Sequence, residues 1–138
     1  MNPSEIIGNL FIGNLTNSAT FDGAVICVLE WRETYGKNAT WIPIMKHIPT
    51  SNPEVTTYMA DEKQLNVAAE AIESLLSANK KVMVHCAVGM ERSPLVVAWY
   101  LHKKKGMSLD EAYSLIISRR SFVQRRDEWL PKVVINTT

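Results

Sequence analysis

The sequence predicts a single α/β domain: a central, mainly parallel sheet of four to five strands flanked by helices. Three observations carry this. Short apolar runs alternate with stretches whose apolar residues recur at helical spacing. Residues 24–29 and 82–84 are short and continuously apolar, the pattern of strands buried on both faces. The length of 138 residues allows one core and is too short for two.

The elements follow in order. Residues 5–14 read as two short strands turning at Gly8-Asn9. Residues 24–29 form the next strand and 40–44 another. Residues 49–60, with Pro49, Pro53 and several Thr, Ser and Asn, read as loop. Asp61 with Gln64 three positions later reads as a capping box, and Leu65, Ala68, Ala69, Ile72, Leu75 and Leu76 follow on one helical face. Asn79-Lys80 closes that helix and turns into the strand at 82–84. A helix from Pro94 to Lys105 stops at Gly106. Ser108, with Glu111 three residues on, opens another, with Ala112, Leu115 and Ile116 inward. A last helix is expected from about Arg126, including Trp129 and Leu130.

Composition excludes several classes. Hydrophobic residues at 46% and charged residues at 21% are ordinary for a globular chain. A net charge of +1 gives no field that would draw nucleic acid or a membrane surface. No apolar run reaches membrane-spanning length, and no signal-peptide pattern opens the chain. Two cysteines, Cys27 and Cys86, are not a disulfide framework, and His47, His85 and His102 lack zinc spacing. The expectation is a cytoplasmic monomer that needs no metal or cofactor.

The chemistry concentrates in residues 85–93, His-Cys-Ala-Val-Gly-Met-Glu-Arg-Ser. An apolar strand leads in and an apolar helix leads out. Five residues separate Cys86 from Arg92, enough for a loop whose N–H groups converge on one point at a helix N-terminus. A phosphate dianion fits there. Arg92 can hold two of its oxygens, with Cys86 facing the phosphorus. A thiol at a helix N-terminus beside a cation ionises readily, and the thiolate is the nucleophile.

This loop resembles the His-Cys-x5-Arg-Ser/Thr signature of the cysteine-based protein tyrosine phosphatases, and Arg92-Ser93-Pro94 resembles their compact dual-specificity branch. Residues 5–14, the Ile42-Pro43-Ile44 segment, and Leu109-x-Glu111-Ala112 through Arg119-Arg120 are similar to the family as well. The resemblance covers nearly the whole chain and is loosest between residues 30 and 60.

What the resemblance implies is a phosphatase acting on phosphotyrosine, and on phosphoserine or phosphothreonine, through a phosphocysteine on Cys86. At this length a shallow, permissive site is expected. Arg92 binds phosphate. The backbone amides of Ala87, Val88, Gly89, Met90 and Glu91 join it, and Ser93 hydrogen-bonds the sulfur and eases its departure. His85 is expected to brace the loop backbone. Glu91 departs from the family and is expected to point away or pair with a basic residue.

The general acid stays open between Asp61, 25 residues upstream of Cys86, Glu54, 32 upstream, and neither. Glu54 falls at the family's usual distance, but the family uses Asp. Gln124 matches a glutamine that in some relatives orients water, or is an exposed loop residue. Cys27 is a core cysteine or a partner for oxidised Cys86. Arg119, Arg120, Arg125, Arg126 and Lys103 to Lys105 read as a solvated rim, and the four Trp as core or rim. The same loop could serve an RNA 5′-phosphatase, a phosphoinositide phosphatase or a phosphoprotein-binding pseudophosphatase. A rhodanese-type loop shares Cys-x5-Arg, but His85 and Ser93 point away from it.

Overall fold

The structure, a computed structural model, describes residues 1–36 and 39–130. Strands β1 (Ser4–Ile7), β2 (Leu10–Gly13), β3 (Ala24–Cys27) and β4 (Ala39–Trp41) are joined by β7 (Val82–His85) into one five-stranded sheet of order β1-β2-β7-β3-β4. β1 and β2 are antiparallel, turning through Asn9 at φ 70°; every other pairing is parallel. The mainly parallel sheet is the one expected. β7 lies between β2 and β3, and all four of its residues are buried, which explains its unbroken apolar pattern.

Three helices complete the domain: α1 (Glu62–Ser77), α2 (Arg92–Lys105) and α3 (Leu109–Arg119). α1 packs on α2 and α2 on α3, while α2 also covers β2 and β7. Residues Ser93 to Leu101 of α2 are all buried, Trp99 and Tyr100 completely. Each large apolar side chain so buried contributes about 1.5–3 kcal/mol relative to exposure. Trp99 satisfies its indole N–H on Asn66 Oδ1 at 2.9 Å. Gly106 ends α2 at φ 70°, as expected of an αL stop, and Ser108 and Glu111 form the full capping box of α3.

The structure corrects four expectations. Residues 49–60 are not all loop: β5 (Met45–Pro49) and β6 (Thr56–Ala60) form a separate antiparallel pair, with only the tip between them irregular. Cross-strand pairing supplies what the polar Thr-Thr-Tyr stretch does not advertise. The strand expected at 40–44 ends at Trp41. Pro43 has no N–H to give a ladder, and Ile42 and Ile44 turn into the core instead.

Asp61 does cap α1, accepting from Lys63 N at 3.1 Å, but Gln64 does not close a capping box; its Nε2 donates to Pro43 O at 3.1 Å. The last expected helix is a single 3₁₀ turn, Asp127–Trp129, and its continuation past Leu130 lies outside the described residues.

Candidate active site

β2, β7 and β3 run parallel and finish together, with Gly13 and Cys27 both in register with His85. In open α/β sheets this carboxyl edge is where ligands bind. Residues 86–91 leave β7 at that edge and feed straight into α2, whose first residue is Arg92.

The loop's conformation is set from outside, carbonyl by carbonyl. The oxygen of Cys86 meets His85 Nδ1 at 3.0 Å, and that of Ala87 accepts from Leu15 N at 2.9 Å. Val88 O and Gly89 O accept from Arg120 Nη2 and Nε at 3.2 and 2.9 Å. Met90 O accepts from Gln124 N at 2.9 Å and Glu91 O from Leu95 N at 3.2 Å. In a planar trans peptide the C=O of one residue and the N–H of the next point opposite ways. Carbonyls drawn outward therefore turn amides inward. Among the described residues, none of the N–H groups of Ala87 through Glu91 finds a protein acceptor. These free donors at a helix start are a cradle for an oxyanion.

Gly89 is required twice over. Its φ of 72° disfavours any β-carbon, and one placed there would lie 2.6 Å from Arg120 Nη2 and 2.7 Å from Gly13 O. Arg120 itself corrects an expectation. It is no rim residue but 2% exposed, while Arg119 beside it faces solvent.

Inside the cradle Cys86 is 3% exposed, with its sulfur 3.3 Å from Ser93 Oγ. His85 is fully buried. A carbonyl can only accept, so Nδ1 carries the proton toward Cys86 O, and Nε2 accepts from Thr34 Oγ1 at 3.0 Å. Burial lowers the His85 pKa below its usual 6.5, against the opposing pull of the Cys86 carbonyl, so the ring is neutral at pH 7. It braces the backbone, as expected.

Arg92 is not left free for two phosphate oxygens. Its Nε and Nη2 clasp Glu30 Oε1 and Oε2 at 2.5 and 3.0 Å. The edge expected to grip phosphate is shared with a carboxylate that directly follows the β3 exit, and the Nη1 side remains. Glu91 pairs with Arg126 Nε, and Arg126 Nη2 also donates to Gln124 Oε1 at 3.0 Å. The Trp129 ring centroid is 5.9 Å from Arg92 Cζ and 5.5 Å from Arg126 Cζ.

The buried cysteine and the free amides lie within a stretch that comparison with known proteins assigns to a family. The family model described as "Dual specificity phosphatase, catalytic domain" matches residues 12–134. The chain belongs to that family. It is a protein phosphatase domain of the dual-specificity type, and the RNA and phosphoinositide alternatives are not favoured.

This phosphatase is 29% identical over 128 residues to "Putative tyrosine phosphatase 123R" of Invertebrate iridescent virus 6, covering 89% of this chain and 83% of that protein. It is 28% identical over 128 residues to "Dual specificity protein phosphatase MPK-4" of Drosophila melanogaster, covering 87% of this chain but 32% of that one. The chain thus spans about a third of the length of that longer relative. The crystal structure of human DUSP28(Y102H) shares the fold with a TM-score of 0.74 at 17% identity, covering 99% of this chain and 93% of that one.

The remaining candidates of the phosphatase lie as follows. Asp61 sits where the β5–β6 pair meets α1, its N–H donating to Ile44 O at 2.7 Å, and its Oδ1 is engaged as the helix cap. Glu54 is exposed at the far tip of the same hairpin, where its N–H meets Asn52 Oδ1 at 3.0 Å. With about 3.3 Å of rise per residue, the five-residue β6 holds the two carboxylates at opposite ends. β6 also packs against the 3₁₀ turn that carries Trp129.

Gln124 is exposed and serves the loop through its backbone. Cys27 is fully buried on β3, its Sγ 3.4 Å from Glu33 O. Among the described residues no cluster of His, Cys, Asp and Glu could hold a metal, and no helix is long and apolar enough to cross a membrane. The missed residues are Glu30 and Arg120. Each lies far from its loop partner in sequence, 62 positions for Glu30 and Arg92 and 31 for Arg120 and Gly89; no motif pointed to Glu30, and Arg120 fell inside a family-like segment but was read as rim.

Proposed function

We propose that the domain hydrolyses phosphotyrosine, and phosphoserine or phosphothreonine where they reach the cradle, through a covalent phosphocysteine on Cys86 and without a metal. The observation that carries this is the set of unpartnered loop amides above the buried Cys86. The thiolate attacks phosphorus and forms an S–P bond while the P–O bond to the substrate breaks. A general acid protonates the departing oxygen. Water, giving a proton to the acid that the first step left deprotonated, then attacks the same phosphorus; the S–P bond breaks with Ser93 hydrogen-bonding the departing sulfur, and phosphate leaves. The amides of Ala87, Val88, Gly89, Met90 and Glu91, with the Arg92 guanidinium, stabilise the equatorial oxygens throughout. The chemistry requires reduced Cys86. A reducing, cytoplasmic setting and a monomer acting on phosphoproteins complete the reading.

The test is a rapid acid quench of enzyme mixed with an aryl phosphate in the presence of a chelator. Phosphate is expected on Cys86 at up to one equivalent. Turnover with no phosphoenzyme, or turnover abolished by the chelator, counts against the reading.

Asp61 is the acid we assign. Its cap bond uses Oδ1 only, leaving Oδ2, and it stands at the hairpin end nearer the sheet. The pH–rate profile of Asp61→Asn is expected to lose its alkaline limb, with kcat on a phosphoserine peptide falling about a hundred-fold. Glu54→Gln is expected to leave the profile unchanged. The reverse pattern would transfer the role to Glu54.

A further inference from the structure

We propose that Trp129 is a specificity-determining residue of this phosphatase: its indole walls one side of the entrance to the cradle and takes the ring of phosphotyrosine, so that the site favours aryl over alkyl phosphomonoesters. The Glu91–Arg126 ion pair holds that wall in place. The inference rests on the phosphatase reading above and names the feature of the substrate that the site selects.

The position of the indole is the first argument. Its ring centroid is 5.9 Å from Arg92 Cζ. Arg92 gives Nε and Nη2 to Glu30 and keeps its Nη1 side for a phosphoryl group. Among the described residues no other aromatic ring comes as close to this guanidinium. The 3₁₀ turn that carries Trp129 packs against β6, and β6 runs into Asp61, the assigned acid. An acid must reach the oxygen that leaves, so the turn lies on the side of the cradle that the leaving group occupies. In an aryl phosphate a single oxygen joins the ring to phosphorus. The ring of a phosphotyrosine seated on Arg92 is then a neighbour of the indole, at a separation where aromatic pairs attract. A phosphoserine presents one methylene there and then its backbone.

The indole is also built to serve as a wall. It is half-buried, between exposed Glu128 and buried Leu130 in the chain, so part of it stays open to solvent. Its support comes from the loop itself. Glu91, the residue that departs from the family signature, holds Arg126 by Nε. Arg126 Nη2 donates to Gln124 Oε1 at 3.0 Å, and Nη1 to Glu128 Oε2 at 3.4 Å. All three nitrogens of the guanidinium are therefore engaged, and its Cζ stands 5.5 Å from the indole centroid. Gln124 N donates to Met90 O, which ties the same segment to the loop a second time. Two carboxylates offset the Arg126 charge, so the wall brings an aromatic surface and little net charge. A rigid aromatic side chain fixed in advance gives up little conformational entropy when a ligand meets it. This accounts for an acidic residue inside a phosphate loop: Glu91 serves the wall and not the phosphate.

The test reads binding in a Cys86→Ser background, where a ligand is held without turnover. Phenyl phosphate, methyl phosphate and inorganic phosphate are titrated calorimetrically, with a thermal melt on every variant. The parent protein is expected to bind phenyl phosphate about tenfold more tightly than methyl phosphate. In Trp129→Ala this ratio is expected to fall at least about fivefold, and in Trp129→Phe to stay within about twofold of the parent. A merely structural role would move the affinities of all three ligands together and leave the ratio alone.

A parent protein with no preference for phenyl phosphate overturns the proposal with no change made at Trp129. A folded Trp129→Ala that keeps the parent ratio overturns it equally. If Trp129→Ala does not fold, Arg126→Gln decides: a ratio lowered about threefold supports the wall, and an unchanged ratio removes it. None of these readouts requires turnover. Failure of the wild-type enzyme to form phosphocysteine would sink the phosphatase mechanism and leave this result to stand or fall on its own.

Discussion

Cys86→Ser is expected to lower kcat on an aryl phosphate by about ten-thousand-fold or more, at unchanged fold. The substitution exchanges one small buried side chain for another, and the contact with Ser93 can be kept as O–H···O. What is lost is the nucleophile: a hydroxyl holds its proton at any pH the fold tolerates, and the cradle offers it no base, since His85 already gives Nδ1–H to a carbonyl and receives Thr34 on Nε2. The amides are untouched. Inorganic phosphate should bind within a few-fold of wild type, and a phosphopeptide should be held rather than turned over. Turnover surviving at one-hundredth of the wild-type rate would remove Cys86 from the mechanism.

Arg92→Lys is expected to cost about a thousand-fold in kcat/KM. An ammonium is a point charge on a flexible stem and cannot face Glu30 and a phosphoryl group at the same time with a planar fork. In the protein as it stands, Nε and Nη2 already serve Glu30, and the guanidinium still has donors to spare. A lysine would be captured by the carboxylate and drawn off the phosphate. This gives the prediction an internal control: Glu30→Gln in the lysine background should recover part of the loss, whereas Glu30→Gln alone should not raise the wild-type rate to a similar degree. A loss below tenfold in Arg92→Lys, or a double variant no better than the single one, would contradict the assignment.

Much of the fold was legible because its elements are locally consistent. The buried strands β3 and β7 announce themselves as short apolar runs, and the helices by spacing, caps and Gly106. The cradle was legible because its parts lie within nine consecutive residues, with Cys86, Gly89, Arg92 and Ser93 each at the spacing its task requires. The β5–β6 hairpin was not, because its stability comes from pairing across a tip rich in Thr, Asn and Pro.

Arg119 and Arg120 are the same letter twice. The end of α3 turns one to solvent and the other under the loop, and no periodic pattern tells them apart. Glu91 was legible as an anomaly and its resolution as an ion pair was foreseeable, but the partner, Arg126, comes from a 35-residue separation. Glu30 lies just past a strand in a stretch that offers no motif at all.

Glu30 gives the cradle an anion of its own. Any oxyanion that draws on the Nε–Nη2 edge of Arg92 must compete with a carboxylate already seated there, so its affinity is a difference between two ion pairs and not the strength of one. Departing phosphate likewise leaves behind a guanidinium with a resident counter-charge. On the proposed mechanism the same contact weakens the hold on substrate and on product phosphate alike.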